Sequence, residues 1–303
     1  MDRWYAMRVF VRVVETGSFV SAAEKLKLST TATSRLVADL EAHLGTRLLQ
    51  RTTRRLHLTE PGQRFFDRAR ELLSGLEEAE AEAGAGTQAP SGLLRITTPA
   101  SFGTLHLARL FPLYQERYPQ VTLEVLAIDR MVDLVNDGFD LAIRLATEHH
   151  PTYVARKLAS IRLAACASSA YVERHGIPRT PQELTQHNCL THTYGGYTDK
   201  WTFQGPEGLI QVPVRGTFSA NNGELLRSAA LAGEGIILEP TFIVGEDLAR
   251  GDLVPLLRDW TIPEATAMAV YPSRRFVSAR VRTFTEFLQK ELSGELPWDR
   301  WMR

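Results

Sequence analysis

Apolar residues recur with helical spacing over the first 45 positions of the chain. Met7, Phe10, Val11 and Val14 stand at i, i+3, i+4 and i+7, which gathers them on one face of a helix. Gly17 stops that helix, and Ser18 is a good N-cap for a second, from Phe19 to about Leu26, that buries Ala22, Ala23 and Leu26. Lys27-Leu28 breaks the pattern before Ser29, another N-cap. A third helix runs from there to about Leu44, with Ala32, Leu36, Leu40 and Leu44 on one face and Gly45 as its stop. The basic turn Arg51-Thr52-Thr53-Arg54-Arg55 follows, and Leu56-His57-Leu58 alternates as a strand does, so this stretch reads as a hairpin.

Thr59 and Pro61 open a longer helix. Within it Phe65, Ala69, Leu72, Leu76, Ala79 and Ala83 recur at alternating steps of four and three, the seam of a coiled coil. Packing against its own domain is the alternative. The acidic opposite surface, and the lack of a core nearby to receive the stripe, favour a seam between two copies. Residues 84–92, GAGTQAPSG, form a small-residue linker and the clearest domain boundary.

Beyond Gly92 strands and helices alternate. Strands are predicted at Leu93–Thr97, Val121–Ala127, Asp140–Leu145, Arg162–Ala167, near Trp201 and Val212, at Gly235–Leu238 and at Thr266–Tyr271. Helices are predicted at Phe102–Tyr118 with a break at Pro112, around Met131–Asn136, after Ser168, after Pro181, at Glu224–Ala232 and at Val277–Leu292. Such alternation predicts an α/β fold with two small parallel sheets.

Composition narrows the class. The 303 residues are 44% hydrophobic and 23% charged, enough to bury a real core. Lys plus Arg and Asp plus Glu both number 35, which excludes a globally basic nucleic-acid coat. The balance is segregated, however: residues 1–60 hold ten basic against six acidic side chains, and residues 61–86 three against six. Two cysteines, Cys166 and Cys189, imply no disulfide framework and fit a reduced, cytoplasmic setting. The N-terminus has no apolar core or cleavage site of a secretory signal, and the longest apolar runs fall short of the ~20 residues of a membrane span.

Two helices joined by a tight break, the second opening on Thr30, Thr31, Thr33, Ser34 and Arg35, have the layout of a helix-turn-helix whose second helix enters the DNA major groove. Hydroxyls there reach phosphates or bases, and an arginine can fork onto guanine. Arg51, Arg54 and Arg55 would flank it as a wing on the backbone or in the minor groove. Eight histidines form no metal-ligand spacing, and G-x-S-x-G, P-loop and G-x-G-x-x-G motifs are absent, so no metal, cofactor or catalytic residue is expected.

Residue identities add a family. Phe19-Val20-Ser21-Ala22-Ala23-Glu24-Lys25-Leu26, Leu44-Gly45-Thr46-Arg47-Leu48-Leu49-Gln50-Arg51 and Leu58-Thr59-Glu60-Pro61-Gly62 closely resemble the LysR-type transcriptional regulators of bacteria, densely over residues 5–66 and more loosely to about 290. The resemblance implies a winged helix-turn-helix, a long linker helix that pairs two subunits, a two-lobed effector domain like that of periplasmic binding proteins, and frequent assembly as tetramers. It matches DNA contacts to Thr30, Thr31, Ser34, Arg35 and Arg54. Thr30-Thr31 stands where many relatives carry Gln or Pro, so operator preference is open.

Thr98-Pro99-Ala100-Ser101-Phe102-Gly103 joins a strand to a helix, either as an anion cradle or with Ser101 as a plain N-cap. The segment resembles the family's inducer loop at the cleft between lobes. Arg144, at a strand end, could pair a carboxylate or tie the lobes together. Thr191, His192 and Thr193, with Ser219-Ala220-Asn221-Asn222, resemble the second-lobe cleft wall; a turn and a helix cap are the plainer readings of the two asparagines.

Together these readings predict residues 1–58 as a winged helix-turn-helix domain, 59–90 as linker helix and hinge, and 91–303 as effector domain. Lobe I would span about 91–162 and 266–303, and lobe II about 163–265. Thr98, Ser101, Phe102, Arg144, Thr191, Thr193 and Asn221 would bind the effector, an organic anion; Phe65, Ala69, Leu72, Leu76 and Ala79 would dimerise. The partners expected are double-stranded promoter DNA, the effector, RNA polymerase for an activator, and further copies of the chain as homodimer or homotetramer, with no membrane. The alternative is a solute-binding or enzymatic α/β protein with an accessory N-terminal helical domain.

Overall fold

The computed structural model describes residues 2–51, 56–83, 89–146, 153–193, 198–205, 208–272, 277–294 and 296–302. They fall into two compact units that divide between Gln88 and Ala89.

The first unit contains α1 (Arg3–Thr16), α2 (Phe19–Leu26), α3 (Thr30–Leu44), the strands β1 (Leu49–Arg51) and β2 (Leu56–Leu58), and α4 (Glu60–Ala83). Side-chain caps open the first three helices. Asp2 accepts from the Trp4 and Tyr5 amides at 3.0 and 3.2 Å, Ser18 from Ser21 at 3.4 Å and Ser29 from Ala32 at 3.1 Å. The buried face of α3 is Thr33, Val37 and Leu40, turned from the expected stripe; Leu44 is exposed. A strict four-residue step drifts around a helix of 3.6 residues per turn, which carries Leu44 off the core. Phe10 is fully buried, with the rings of Phe65 and Phe66 at 5.7 and 6.4 Å.

The second unit has two lobes. Its elements are β3 (Gly92–Thr98), α5 (Ala100–Phe102), α6 (Leu110–Arg117), β4 (Val121–Ala127), β5 (Leu141–Ala146), β6 (Val154–Ile161), β7 (Leu163–Ser168), α7 (Ser169–His175) and β8 (Thr191–His192). They continue with β9 (Lys200–Gly205), β10 (Gly208–Pro213), β11 (Ser219–Ala220), α8 (Gly223–Leu231), β12 (Ile237–Pro240), α9 (Thr241–Arg250), β13 (Leu253–Pro255), β14 (Ala265–Tyr271) and α10 (Ala279–Glu291). Among the described residues lobe I is a sheet in the order β4-β3-β5-β14-β6, and lobe II centres on β12-β7-β13 with β8 paired to β11. The chain crosses between lobes at Arg162 and returns before Glu264, and these two side chains meet at 3.2 Å.

Several expectations are corrected. The sheets are not purely parallel: β14 runs antiparallel to β5 and β6, and β7 is antiparallel to both its neighbours. Chain segments that return between lobes arrive in the opposite direction, which alternation along the sequence does not reveal. Met131–Asn136 is a turn, because the Asp133 carboxylate takes the Val135 and Asn136 amides, both at 3.0 Å, in place of a helical ladder. The break in 102–118 is a π turn at Gly103–Leu107; Pro112 sits in the first turn of α6, where its missing N–H costs nothing. β6, α9 and β13 were not expected.

Lobe II buries an ionisable pair. Glu239 of β12 is wholly buried and its Oε1 lies 2.7 Å from His192 Nε2. A Cβ on Gly223 would stand 2.6 Å from Glu239 Oε2, so only glycine lets α8 settle on this carboxylate. Burial alone lowers an imidazole's pKa, but the bond to Glu239 and its charge, with Asp129 adding, leave His192 above its ordinary value. Burial also raises Glu239, opposed by His192. Both groups hold protons more tightly folded than unfolded. The contribution of His192 is therefore complete below about pH 6.5, the ordinary imidazole value, and fades as pH rises through its raised value, whereas that of Glu239 is complete only below the ordinary carboxyl value of about 4.5. The melting temperature should fall over this window by more in the protein than in His192→Gln, as calorimetry would read; parallel curves would remove the pair from the pH dependence.

Candidate functional site

Two surfaces hold the residues singled out in the sequence. On α3, Thr30, Thr31 and Arg35 are exposed and Ser34 is half-buried; Thr31 and Arg35 lie opposite Val37 and Leu40, and Thr30 is exposed as the first residue of the helix. Arg35 keeps 83% of its side-chain surface, with Asp39 at 4.0 Å as a loose partner. Ser29 caps the helix and leaves the Thr30 and Thr31 hydroxyls outward beside free amide groups, a layout suited to phosphates. Thr33 departs from the expectation. It is wholly buried and its hydroxyl donates to Ser29 O at 3.0 Å, so it packs the helix and cannot touch DNA.

The hairpin is tied to α3 by Glu41, whose Oε1 accepts from the Leu48 and Leu49 amides at 2.8 and 3.0 Å. Thr59 then opens α4, accepting from Gly62 N at 2.9 Å while donating to Arg47 O at 2.7 Å. A Cβ on Gly62 would lie 2.0 Å from Leu48 O, which explains the glycine after Pro61. Arg51 lies on β1, but its side chain, like residues Arg54 and Arg55, is outside the described residues. Along α4, Ala69 is wholly buried and Phe65 packs on Phe10. These two belong to the core of their own unit, contrary to the seam expectation, because α1 lies within reach to receive them. Leu72 and Leu76 are exposed at 53% and 37%; the side chain of Ala79 is outside the described residues.

The second surface is the meeting of the lobes. Ser101 lies at the end of β3, and its Oγ accepts from Asn222 Nδ2 at 3.3 Å; the same amide group donates to Asp129 Oδ2 at 3.1 Å. Asp129 Oδ1 takes the Ala100 amide at 2.9 Å. The helix start therefore already has an anion, and Ser101 is not its N-cap. An organic anion consequently finds less room here than the sequence suggested, since it would face a fixed carboxylate. Thr191 is half-buried on β8 and Thr193 exposed just beyond, with its amide on Ala220 O at 2.9 Å.

Three further expected effector residues are at least half-buried. Thr98 is wholly buried under Gly103, and Phe102 is wholly buried with its ring 5.1 Å from Phe242. Neither side chain can meet a ligand, because both fill lobe packing. Arg144 projects from the face of β5 that carries Ala142, beside the apolar cluster of Val132, Phe139 and Met268. Its Nη2 is buried without a hydrogen-bond partner among the described residues. Asn221 is exposed at the turn, and its neighbour Asn222 makes the contacts to Ser101 and Asp129. Asp129 was missed, although it follows β4 at its carboxyl end, where crevices of α/β sheets collect function.

Comparison with known proteins matches both units. Residues 4–63 match the bacterial regulatory helix-turn-helix model of the lysR family, and residues 87–293 match the LysR substrate binding domain. The transcriptional regulator CrgA of Neisseria meningitidis serogroup C (strain 8013) is 38% identical over 291 residues, 96% of this chain and 97% of CrgA. DmlR of Escherichia coli (strain K12) is 36% identical over 296 residues, 96% of this chain and 95% of DmlR. The solved structure of CrgA from Neisseria meningitidis aligns with a TM-score of 0.61 at 37% identity, covering 96% of this chain and 99% of that one. The Vibrio cholerae virulence activator AphB aligns at 0.59 and 29%, covering 93% and 97%. A regulator's DNA-binding model on the first unit decides against the solute-binding alternative. The chain belongs to the LysR family of bacterial transcriptional regulators, with a helix-turn-helix DNA-binding domain followed by an effector-binding domain.

Proposed function

We propose that residues 1–58 bind promoter DNA with α3 in the major groove, that 59–90 pair two copies, and that 91–303 sense a small molecule between lobe I (about 91–162 and 266–303) and lobe II (about 163–265). The strongest support is the exposed polar face Thr30, Thr31, Ser34 and Arg35, carried by a helix whose opposite face is buried. Two copies read a two-fold-related site, and a tetramer reads two such stretches and bends the DNA between them. Arg51, Arg54 and Arg55 serve as backbone contacts of the wing. The effector changes the populations of lobe arrangements, a shift in binding equilibrium without chemistry. An activator of this kind also meets RNA polymerase. The setting is the cytoplasm: Cys166 and Cys189 are free and buried, and no helix among the described residues is long and apolar enough to cross a membrane.

Two variants of α3 test the DNA face. Arg35→Ala should weaken operator binding by about 1–3 kcal/mol if the guanidinium reads a base, with little change on random DNA. Thr33→Val, buried and nearly isosteric, should leave operator affinity unchanged. Gel shifts on both would sink the proposal if Thr33→Val lost affinity while Arg35→Ala kept it.

Pairing rests on Leu72 and Leu76, exposed on α4 without a partner in their own unit's core. Leu72→Glu or Leu76→Glu leaves the monomer's packing alone but buries an uncompensated charge across the seam, at about 3–5 kcal/mol. Sedimentation should show smaller species, with loss of bivalent operator binding. Unchanged assemblies would place the interface elsewhere.

A further inference from the structure

Beside the packing of Phe102 on Phe242 and the contact of His106 Nε2 with Phe242 O at 3.0 Å, the lobes are joined by a residue with two jobs. Asn222 Oδ1 accepts from Glu224 N at 3.0 Å and so caps α8 in lobe II. Its Nδ2 reaches lobe I, donating to Ser101 Oγ at 3.3 Å and Asp129 Oδ2 at 3.1 Å. Asp129 is itself held by the Ala100 amide at 2.9 Å. A capping side chain has its orientation set by the helix, so the Nδ2 group is aimed at lobe I without further loss of side-chain freedom. The carboxylate at the far end makes the bond charge-assisted.

We propose that Asn222 is a latch that holds the two lobes together when no effector is bound, and that an effector acting at Ser101 must bring its own hydrogen-bond donor to Asp129. This deepens the effector-cleft reading above and rests on it. The ligand class follows from the acceptors the latch leaves behind. When Asn222 withdraws, lobe I presents the Ser101 hydroxyl and the Asp129 carboxylate. A hydroxyl, amine or amide satisfies them, whereas a carboxylate would oppose Asp129. The residue that closes the empty cleft thus also selects what can open or refill it.

The cap and the latch separate by substitution. Asn222→Asp keeps the acceptor for Glu224 N but loses the donors and sets a second carboxylate against Asp129. In the full-length protein near neutral pH, spin labels on Glu116→Cys and Glu173→Cys, both exposed and in different lobes, would read the lobe separation. The distance should lengthen and broaden in Asn222→Asp. It should return in Asn222→Asp combined with Asp129→Asn, where the amide donates from the opposite side. An unchanged distance in the single variant, or no recovery in the double, overturns the latch. Acetamide should restore the short distance in Asn222→Ala and acetate should not; rescue by neither, or equally by both, overturns the donor requirement. Operator affinity measured on the same proteins keeps the underlying reading separate. A lengthened distance that leaves operator affinity unmoved, instead of shifting it by about five- to 150-fold, supports the latch but refutes coupling of the cleft to DNA.

Discussion

The amide groups exposed at a helix N-terminus need acceptors, and meeting that need places almost every functional group in this chain. At α3 the acceptor is Ser29, one residue before the threonines, so the cap leaves Thr30 and Thr31 exposed. At α4 it is Thr59, which also bonds back to Arg47 and so fixes the hairpin at the base of the long helix. In the second unit the acceptor comes from a distance: Asp129 serves the helix after β3, and Asn222 serves α8 while donating to Asp129. The recognition surface and the cleft are two uses of one backbone constraint.

The cleft differs from a simple anion cradle because its charges are internal. Asp129 supplies the anion at the helix start, and behind β8 the wholly buried Glu239 is matched by His192. Buried carboxylates of this kind are tolerated only with a partner, since an unpaired one costs several kcal/mol. Glu239 leaves Oε2 without a hydrogen bond among the described residues, and the close approach of Gly223 shields it. The ligand recognition proposed here is therefore a matter of donors meeting fixed acceptors.

In the linker helix two uses of one apolar stripe separate along its length. Phe65 and Ala69 face α1 and complete the core around Phe10. Less than a turn later Leu72 emerges on the surface while Leu73 still packs on this core, and Leu76 is exposed further along. Heptad spacing is continuous across this change, because period reports which side chains share a face and carries no information about what covers that face.

Local chemistry was legible in the sequence by itself. The Ser18 and Ser29 caps and the Gly17 and Gly45 stops of the helix-turn-helix, the bounds of α2, the strand at Val121–Ala127 and the family all follow from residue identities at short spacing, where backbone geometry ties neighbours together. What tertiary structure alone decided were pairings between residues far apart in the chain. Thr33 turned inward because of where α3 meets its core, Asn222 in place of Asn221 reached across 93 positions to Asp129, and β14 ran antiparallel to β5. Helical phase to within one residue and strand direction in a two-lobed chain depend on packing partners that no local spacing specifies, so these features exist only once the lobes have met.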